Sequence, residues 1–390
     1  MGAEELLERL AAAASLGSED VAIRFRARYE PAAGPGSKVS PPTYPVENRD
    51  SPYLFEVRRF DGAERQAVLL DSRQAQANRC EEALSRAVDV GDVWVPHLVL
   101  HVETHGRRVR ITSLTAPHRS RDAYFRDAED EAGRPFDQTQ PGSELAACTA
   151  EDATALYRYA PTDLVYGVWD SHRGLRLAAR FPRTYTSEMV GWEPAEGRRA
   201  AGRFDLMTSG QQRATVEDGD WRPDPKGKKK LSELGLGSIP PTTRNQRGQP
   251  LPGGVTVGDI ERLAILSFPA LARLRLGSNV EAERAARAVL AALAILGDRL
   301  AFGGPGVFLR SGCDLVRTSE EVAWIRAGGS AEPFEVDRGE AFDLLERALA
   351  RARDAGMPWH PEPNSVRPRQ NHQQAIDDAF FAGIEESQGD

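Results

Sequence analysis

The chain has 390 residues, of which 40% are hydrophobic and 28% charged, and its formal net charge is -8, a composition typical of a soluble globular protein. The longest strongly apolar run, residues 288–297, is too short to span a bilayer, and the acidic start MGAEELLERL lacks the features of a signal peptide. The three cysteines are widely spaced, which argues against a disulfide framework and a cysteine zinc site, and we expect a cytoplasmic protein.

The distribution of charge along the chain matters more than its sum. Residues 318–390 carry the entire net charge of -8, so the first 317 residues are neutral overall. Within them, residues 107–126 contain six arginines against a single acidic residue, Asp122, and four of the five lysines lie in KGKKK at 226–230. Local basic patches decide whether a phosphate backbone can bind, so the overall charge does not exclude nucleic acid.

The N-terminal segment predicts a helix followed by a strand. Residues 3–14 have the spacing of an amphipathic helix, and VAIRFRARYE at 21–30 alternates as a half-buried strand does. The side chains expected to face the core are Val21, Ile23, Phe25, Ala27 and Tyr29. Those expected on the opposite face are Arg24, Arg26 and Arg28. A solvated face explains this arginine row at least as well as a ligand-binding face.

The stretch LLDSRQAQANRCEEAL, residues 69–84, follows a short predicted strand and starts a helix. Asp71 and Ser72 are favourable N-cap residues, and the helix should end near Val88. Its first two turns carry the amides Gln74, Gln76 and Asn78 beside Arg79. Amides hydrogen-bond polar partners without bringing charge, so this stretch predicts contact with a polar ligand.

Two alternating strands follow in HLVLHVETHGRRVRITSL, joined by a predicted hairpin turn at His105-Gly106. His97, His101 and His105 recur every four residues, a spacing that would gather metal ligands on a helix. Along a strand, however, residues four apart are separated by ~13 Å. The segment therefore predicts strand histidines on a polar face and no zinc site.

Further predicted elements complete a ferredoxin-like order. A helix is expected to begin near His118, another lies in EDATALYRYA, and DLVYGVWD at 163–170 predicts a strand. From residue 64 the order is strand, helix, strand, strand, helix, strand. This order predicts an α+β fold of the ferredoxin-like type, which is also the scaffold of the RNA-recognition motif.

Two segments of this region contain candidate functional residues. In APHRSRD, His118 and Arg119 suit phosphate binding at a helix start, and they also suit general acid-base cleavage of RNA. We favour binding, because it requires only position. In DSHRGLRLAARFPRTYTSEMVGW, arginines accompany aromatic residues, a mixture that suits phosphate neutralisation and base stacking but equally an exposed irregular segment. The residues concerned are Arg173, Arg176, Arg180, Arg183, Phe181, Tyr185 and Trp192.

The C-terminal half contains a basic arm and two helices. Regular patterning fades between residues 207 and 254, where the lysine cluster and Trp221 suggest a projecting basic arm. A buried helix follows, with Ser278 and Glu281 in capping-box spacing and Gly297 as its predicted stop. FGGPGVFLRSGCDLV predicts a glycine-rich turn entering a strand and lacks the Gly-Lys-Ser/Thr of a P-loop. Residues 338–355 predict a last helix, and residues 357–390 a loosely held tail.

Taken together, six segments resemble a known family: LLDSRQAQANRCEEAL, ITSLTAPHRSRDAYFRDA, PTDLVYGVWDSHRGLRLAARFPRTYTSEMVGW, LSELGLGSIPP, GGVTV and LRSGCDLV. In this order they are similar to the type I-G (formerly I-U) CRISPR-associated RAMP protein, the backbone subunit of the Cascade complex. The resemblance spans roughly residues 20–320.

The resemblance implies a single RAMP-type domain over residues 1–390, with a ferredoxin-like or RRM-type palm and inserted finger and thumb elements. On this basis the palm core comprises residues 64–170 and 255–320, and the arm at 207–254 resembles the thumb. Copies of such a protein polymerise head to tail along CRISPR RNA (crRNA), beside other Cascade subunits, and display the guide for pairing with target DNA. A separate helicase-nuclease cuts, so the resemblance implies no enzyme activity, and we expect no cofactor, no metal and no membrane partner.

A guide-holding protein must contact phosphate and sugar independently of base sequence, which arginine and neutral amides do. The residues that we predict to contact RNA are Ser72, Gln74, Gln76, Asn78, Arg79, His118, Arg119, Arg121, Arg180, Arg183, Lys228, Lys229, Lys230 and Arg310. Two alternatives remain at this point. One is a RAMP-type endonuclease that processes CRISPR precursor RNA with His118 as acid or base and Arg119 steadying the developing charge. The other is an assembly protein that does not touch RNA.

Overall fold

The fold is known from a computed structural model that describes residues 2–45, 51–60, 62–169, 180–206, 213–217, 220–245, 248–277 and 279–378. These residues form a mixed α+β fold. The helices are α1 (Ala3–Ala13), α2 (Arg73–Asp89), α3 (Ala123–Arg126), α4 (Gln140–Ala147), α5 (Thr154–Tyr159), α6 (Thr162–Tyr166), α7 (Phe268–Ala272), α8 (Val280–Phe302) and α9 (Arg338–Asp354). The first eleven strands are β1 (Asp20–Pro31), β2 (Phe55–Phe60), β3 (Ala63–Asp71), β4 (Leu98–Thr104), β5 (Arg107–Thr112), β6 (Ala128–Glu129), β7 (Val168–Trp169), β8 (Arg180–Phe181), β9 (Tyr185–Trp192), β10 (Ala195–Glu196) and β11 (Ala201–Arg203). The others are β12 (Arg213–Glu217), β13 (Asp220–Pro223), β14 (Lys229–Lys230), β15 (Ile239–Thr242), β16 (Val255–Thr256), β17 (Asp259–Ser267), β18 (Gly306–Arg310), β19 (Cys313–Arg326), β20 (Ala331–Pro333) and β21 (Asn364–Pro368).

A large antiparallel sheet organises the molecule. Its strand order is β18-β19-β1-β17-β9-β3-β2, and β20 pairs with β19 outside this path. The inner order β19-β1-β17-β9 places β1 at the centre, although the sequence-based palm ranges began only at residue 64. Helix α2 lies in the connection from β1 to β9, and α8 lies in the connection from β17 to β19.

The main core lies between this sheet and the helices. Helices α2 and α8 pack side by side against the sheet, and α1 and α9 pack on the outer side of α8. Helix α8 is therefore buried nearly all round, as its sequence predicts. The side chain of Asn279 caps it by accepting hydrogen bonds from the backbone nitrogens of Glu281 and Ala282, while Ser278 lies outside the described residues. No helix in the described part of the chain has the length and apolar character to cross a membrane.

The predicted stop of α8 at Gly297 is wrong. The helix continues for five more residues to Phe302, and Gly297 is buried where α8 meets α6. A Cβ atom at this position would collide with the hydroxyl of Tyr166. Glycine therefore leaves space here for the buried phenol of Tyr166, a role that the sequence alone does not distinguish from a helix end.

Strand β1 follows its predicted pattern except at its first residue. Ile23, Phe25 and the two apolar residues that continue the alternation are buried, but Val21 is exposed because the pairing with β19 is irregular at this point. On the opposite face, the three arginines of β1 form ion pairs with neighbouring strands. The pairs are Arg24 with Glu321, Arg26 with Glu261, and Arg28 with Asp259. This face of the sheet is thus solvated and locally neutralised.

The predicted hairpin at residues 98–112 is present, but it does not join the main sheet. Strands β4 and β5 pair with each other around a turn in which His105 and Gly106 both have positive φ. They belong to a separate sheet of order β5-β4-β21-β6. The assignment of this hairpin to the ferredoxin-like order is therefore wrong, because its partner β21 comes from the distant C-terminal region, where no local pattern indicates the pairing.

The predicted strand at 163–170 is also wrong in most of its length. Residues 162–166 form the short helix α6, which ends at Gly167 with a φ of 85°, and only Val168–Trp169 is extended. Because all five residues of α6 are buried, the run shows no periodicity of apolar and polar residues, and such short runs do not distinguish helix from strand. Residue 170 lies outside the described residues.

The arm and the tail contain more regular structure than their sequences predict. In the arm, β15 pairs with β11, which lies just before the arm, and β12 pairs with β13 and β14. In the C-terminal segment, β21 runs parallel to β4, and the carbonyl of His360 accepts a hydrogen bond from the Trp94 indole. Residues 379–390 lie outside the described part of the chain.

Candidate nucleic-acid interface

Helix α2 begins as predicted, and its amides divide into exposed and buried ones. The Ser72 hydroxyl accepts a hydrogen bond from the backbone nitrogen of Ala75 and caps the helix. Gln74 and Asn78, four residues apart, lie on the exposed surface, and neither side chain has a hydrogen-bond partner among the described residues. These two amides are free to contact a ligand, and their contact with RNA stays a prediction.

Gln76 is fully buried, so the prediction that it contacts RNA is wrong. Its Nε2 donates to Asp71 Oδ2 at 2.6 Å. Its Oε1 accepts from Ser187 Oγ at 2.7 Å and from Arg262 Nε at 3.1 Å. Arg262 in turn forms an ion pair with Asp298 in the core, where burial alone would raise the pKa of Asp298 but the neighbouring arginines lower it to about 2. Gln76 therefore connects α2 to the sheet through a buried polar network.

Two more predicted contact residues, Arg79 and Arg310, are held by Asp71, which is itself fully buried. Arg79 donates to Asp71 Oδ2 at 2.8 Å and to the backbone carbonyl of Leu309 at 2.8 Å. Arg310 donates to Asp71 Oδ1 at 3.2 Å and to the carbonyl of Leu70 at 2.8 Å. These guanidinium groups tie β18 to the end of β3, and their donors are largely used within the fold.

The predicted contacts Arg119 and Arg121 are also engaged within the protein. Arg119 is buried and forms a two-pronged ion pair with Glu81, with both distances 2.6 Å. Arg121 donates to the carbonyl of Leu145 at 2.6 Å. Burial raises the pKa of Glu81 to about 7, although the charge of Arg119 opposes this shift. The direct contact predicted for Arg119 is therefore wrong, because Glu81 already occupies its guanidinium group.

A cleft of about 560 Å³ brings together residues from three separate segments, two of which contain predicted contact residues. Arg73 comes from the first turn of α2, His118 from the loop before α3, and Trp169 and Arg180 from the β7–β8 ribbon. We call it the arginine cleft and define it by Arg73, His118, Arg119, Trp169, Arg180 and Arg183. Predicted residues more than sixty positions apart in the sequence thus share one surface.

The arginine cleft has an excess of positive charge. Neither Arg180 nor Arg183 has an ion-pair partner among the described residues, and Arg73 approaches Glu188 at 3.4 Å. The Nε of Arg183 is buried and lacks a hydrogen-bond acceptor within the described part of the chain. Burial, together with the charge of Arg119, lowers the pKa of Arg183. An anion bound here would supply both the missing acceptor and the opposite charge.

An exposed aromatic ring lies beside these arginines. Trp169 is 58% exposed, and the Arg180 guanidinium lies 5.7 Å from the centroid of its ring. Exposed indole rings next to arginine form stacking platforms for nucleic-acid bases. By contrast, Phe181, Tyr185 and Trp192, which the sequence suggested for stacking, are buried in the cores. That suggestion is wrong, and Arg173 and Arg176 lie outside the described residues.

The two larger cavities are electrostatically different. A cavity of about 650 Å³ between α2 and β18 contains Arg86 and Arg338, which pair with Glu82 and Asp92. A cavity of about 710 Å³ on the small sheet contains arginines that are likewise paired with carboxylates. These pairs are Arg108 with Glu103, Arg110 with Asp89, and Arg367 with Glu129. Because the arginines of these two cavities are paired with carboxylates, neither cavity has the excess of positive charge that would attract an anion to the arginine cleft.

The predicted lysine cluster lies in the arm. Lys228 and Lys230 are exposed and Lys229 is half-buried, and β14 pairs Lys229 and Lys230 with β12. No ion pair joins these lysines to another described residue. They form a second basic surface, carried by a different part of the fold from the arginine cleft.

Of the three histidines at four-residue spacing, only His101 lies on strand β4, so the prediction that all three lie on the polar face of a strand is wrong. His97 is buried, with its Nδ1 2.8 Å from the carbonyl of Val95, whereas His101 is exposed and His105 lies in the hairpin turn. The described residues include no group of three or more His, Cys, Asp or Glu side chains that could hold a metal ion.

Three residues of this site escaped the sequence analysis: Arg73, Glu81 and Trp169. Arg73 adjoins the predicted amides, and Trp169 directly precedes the arginine-rich segment, so a tryptophan next to a basic stretch was an available signal. Glu81 had no such signal, because its partner Arg119 is 38 residues away in the chain.

Comparison with known proteins relates this region to a CRISPR-associated family. Residues 23–195 match the family model described as CRISPR-associated protein GSU0053 (Cas_GSU0053). The matched region is somewhat less than half of the 390 residues and includes β1, α2 and the arginine cleft. No curated protein matches the sequence. Residues 23–195 are therefore similar to this CRISPR-associated family.

Proposed function

We propose that this protein is the crRNA-binding backbone subunit of a type I-G CRISPR Cascade complex. The observation that carries the proposal is the arginine cleft, where the buried Nε of Arg183 lacks an acceptor beside an exposed tryptophan. The family match supports a CRISPR-related role, and the order of the six sequence segments favours the type I-G backbone subunit. The ligand is RNA held by its sugar-phosphate chain.

The chemistry of the arginine cleft suits binding without sequence preference. Arg73, Arg180 and Arg183 provide guanidinium groups for phosphate, and Trp169 provides a flat surface on which any base can stack. Outside the cleft, Gln74 and Asn78 provide neutral amides for sugar hydroxyls. These groups leave the Watson–Crick edges of the guide free to pair with target DNA.

The topology supports a ferredoxin-like palm of the RRM type. In chain order β1, α2, β9, β17, α8 and β19 give a βαββαβ unit, and their sheet order β19-β1-β17-β9 is that of this fold. The hairpin β4–β5 and the short strands of the arm are then the inserted finger and thumb elements. RNA binds beside the palm helices, because the open face of the sheet is already neutralised by ion pairs.

The proposed backbone role also implies the partners of the protein. Successive copies associate head to tail along one crRNA, other Cascade subunits complete the particle, and target DNA pairs with the displayed guide. The lysines of the arm, which have no ion pairs with described residues, provide a further contact to the nucleic acid.

We propose no catalytic role for the arginine cleft. The endonuclease alternative requires Arg119 to stabilise charge at the reacting phosphate, but both prongs of its guanidinium group bind Glu81. His118 is exposed and lines the cleft, so it retains the position for acid-base chemistry. His118→Ala separates the two functions: precursor RNA cleavage that this substitution abolishes supports the endonuclease alternative.

The decisive experiment is to express the protein with a CRISPR array and its partner subunits, purify the assembly, and analyse the bound nucleic acid. We expect RNA of mature guide length with periodic protection from nuclease. Arg180→Ala combined with Arg183→Ala should reduce the RNA carried per complex at least tenfold, because two phosphate contacts are lost.

The matched control combines Arg59→Ala with Arg86→Ala. Both arginines are 77% exposed and paired with a carboxylate, so this variant removes the same charge from other surfaces. It should carry as much RNA as the wild type. An intact assembly without RNA contradicts the backbone role, and an equal loss of RNA in the control contradicts the assignment of the site.

A further inference from the structure

Arg119 lines the arginine cleft but is not available to a ligand. Its side chain is only 10% exposed, and its Nε and Nη2 donate to the two carboxylate oxygens of Glu81. The remaining nitrogen, Nη1, donates to the backbone carbonyl of Gly167 at 3.0 Å. Arg119 thus connects the buried face of α2 to the residue that precedes the β7–β8 ribbon.

The backbone at Arg119 supports a specific role for this connection. Its φ is 53°, a left-handed conformation that costs a non-glycine residue free energy and persists only where the surroundings enforce it. Contacts to the neighbouring backbone and to the side chain both hold Arg119 in this conformation. Asp122 Oδ2 accepts a hydrogen bond from the backbone nitrogen of His118 at 3.1 Å, and Glu81 holds the side chain.

Gly167, the other end of the connection, is equally constrained. Its φ is 85°, and a Cβ atom there would lie 2.9 Å from Cγ of Arg183. The next two residues form β7, in which Trp169 pairs with Arg180 of β8. The carbonyl held by Arg119 therefore lies at the point where the ribbon carrying Trp169 and Arg180 leaves the core and passes over Arg183.

The groups around Glu81 are consistent with a buried ion pair between Glu81 and Arg119 that has no net charge. Arg119 and Arg183 face it with positive charge, and Asp163 of α6 faces it with a buried carboxyl group. The thiol of Cys80 and the phenol of Tyr166 are its other titratable neighbours, and burial raises the pKa of both. Arg119 is the one of these cations that hydrogen-bonds Glu81 in the described structure.

We propose that Glu81 is a positioning residue of the arginine cleft. Through Arg119 it fixes the Gly167 carbonyl, and thereby places Trp169 and Arg180 for a nucleotide whose phosphate contacts Arg183. Neither Glu81 nor Arg119 touches the ligand. This inference rests on the proposed RNA-binding function. It explains why Arg119, which lines a binding cleft, is paired with the buried carboxylate of Glu81.

The test is a double-mutant cycle between Glu81→Gln and Trp169→Ala in the full-length protein. Binding of a fluorescein-labelled single-stranded RNA of mixed sequence is measured by anisotropy. We expect Trp169→Ala to weaken binding by the wild type about tenfold, the effect of losing one stacked base. In the Glu81→Gln background, the same substitution should weaken binding less than threefold, because Trp169 is no longer placed for the base.

A second variant protects the test against misfolding. Glu81→Gln combined with Arg119→Gln replaces a buried ion pair by two amides, so that no buried charge is left unpaired. We expect it to melt close to the wild type yet to bind RNA about tenfold more weakly. Wild-type binding by this double variant would overturn the proposal, as would an equal effect of Trp169→Ala in both backgrounds. If the wild type itself does not bind RNA, the proposed function fails, and the positioning role fails with it.

Discussion

The carboxyl group of Asp163 shows how strongly the interior beneath the arginine cleft changes the properties of a single side chain. Asp163 is fully buried; its Oδ2 accepts a hydrogen bond from the Ser120 hydroxyl, and its Oδ1 has no partner among the described residues. Burial raises the pKa of Asp163 to about 6, although the Ser120 hydrogen bond and the charges of Arg119 and Arg121 oppose the shift. The folded protein therefore holds a proton that the unfolded chain releases at lower pH.

This proton makes stability depend on pH in a defined direction. Because the pKa in the folded state is about 6 and the ordinary value is 3.8, the free energy of unfolding should fall as the pH rises between these values. The shift corresponds to roughly 3 kcal/mol. In Asp163→Asn, whose amide oxygen can still accept from Ser120, this contribution should be absent. Urea unfolding at pH 4 to 7.5 measures this contribution as the difference in the free energy of unfolding between the wild type and the variant. If the two free energies change with pH in parallel, the prediction is contradicted.

At the scale of elements, the local sequence of helix α2 determines where the helix begins but not which of its side chains are buried. The N-cap at Ser72 and the start of the helix follow from local residue types, and both predictions are confirmed. The different fates of Gln74 and Gln76 do not follow from local sequence. Gln76 is buried because Ser187 and Arg262, more than a hundred residues away, reach it from two strands of the sheet. Such contacts exist only once the sheet has formed.

The two kinds of amide should respond differently to substitution. Gln74→Ala with Asn78→Ala should leave the free energy of unfolding within about 0.5 kcal/mol of the wild type, because both side chains are exposed. Gln76→Ala should lower it by about 3 kcal/mol, since three buried polar groups lose a partner. In RNA-binding assays, the double variant should bind more weakly while remaining folded. Equal stability losses in the two variants would contradict this division.

The strands illustrate a second limit of local patterns. The alternation of apolar residues correctly predicts β1, β4 and β5 as strands, because burial of one face imposes that alternation, and a short apolar run correctly predicts β3. It carries no information on pairing partners. Strand β4 pairs with β21, 266 residues downstream from Leu98 to Asn364, and the hairpin is thereby drawn out of the main sheet. The helix α6 was missed for a related reason, since a fully buried short run lacks any period.

At the scale of the whole molecule, the pairing of charges distinguishes binding surfaces from neutral ones. Most arginines on the open sheet face and in the two larger cavities are paired with carboxylates. Arg180 and Arg183 in the arginine cleft, and the lysines of the arm, have no such partners among the described residues. A count of basic residues in the sequence identifies both groups of arginines equally, so only the fold separates them. The net charge of -8 is compatible with an RNA-binding protein for this reason.

The lysines of the arm provide the test of this reasoning for the molecule as a whole. If they contact phosphates, Lys228→Gln, Lys229→Gln and Lys230→Gln together should weaken RNA binding by a similar factor for every guide sequence. Each lost contact to a single strand lowers the slope of log affinity against log salt by about 0.7, so the slope should become shallower by about 2. The matched control replaces Arg59, Arg86 and Arg108, three exposed arginines that are paired with carboxylates, by glutamine. Because the charges of these arginines are already neutralised, the control should keep the wild-type slope. A loss of affinity that depends on the guide sequence would contradict the prediction, because it would show that the lysines contact bases and not phosphates.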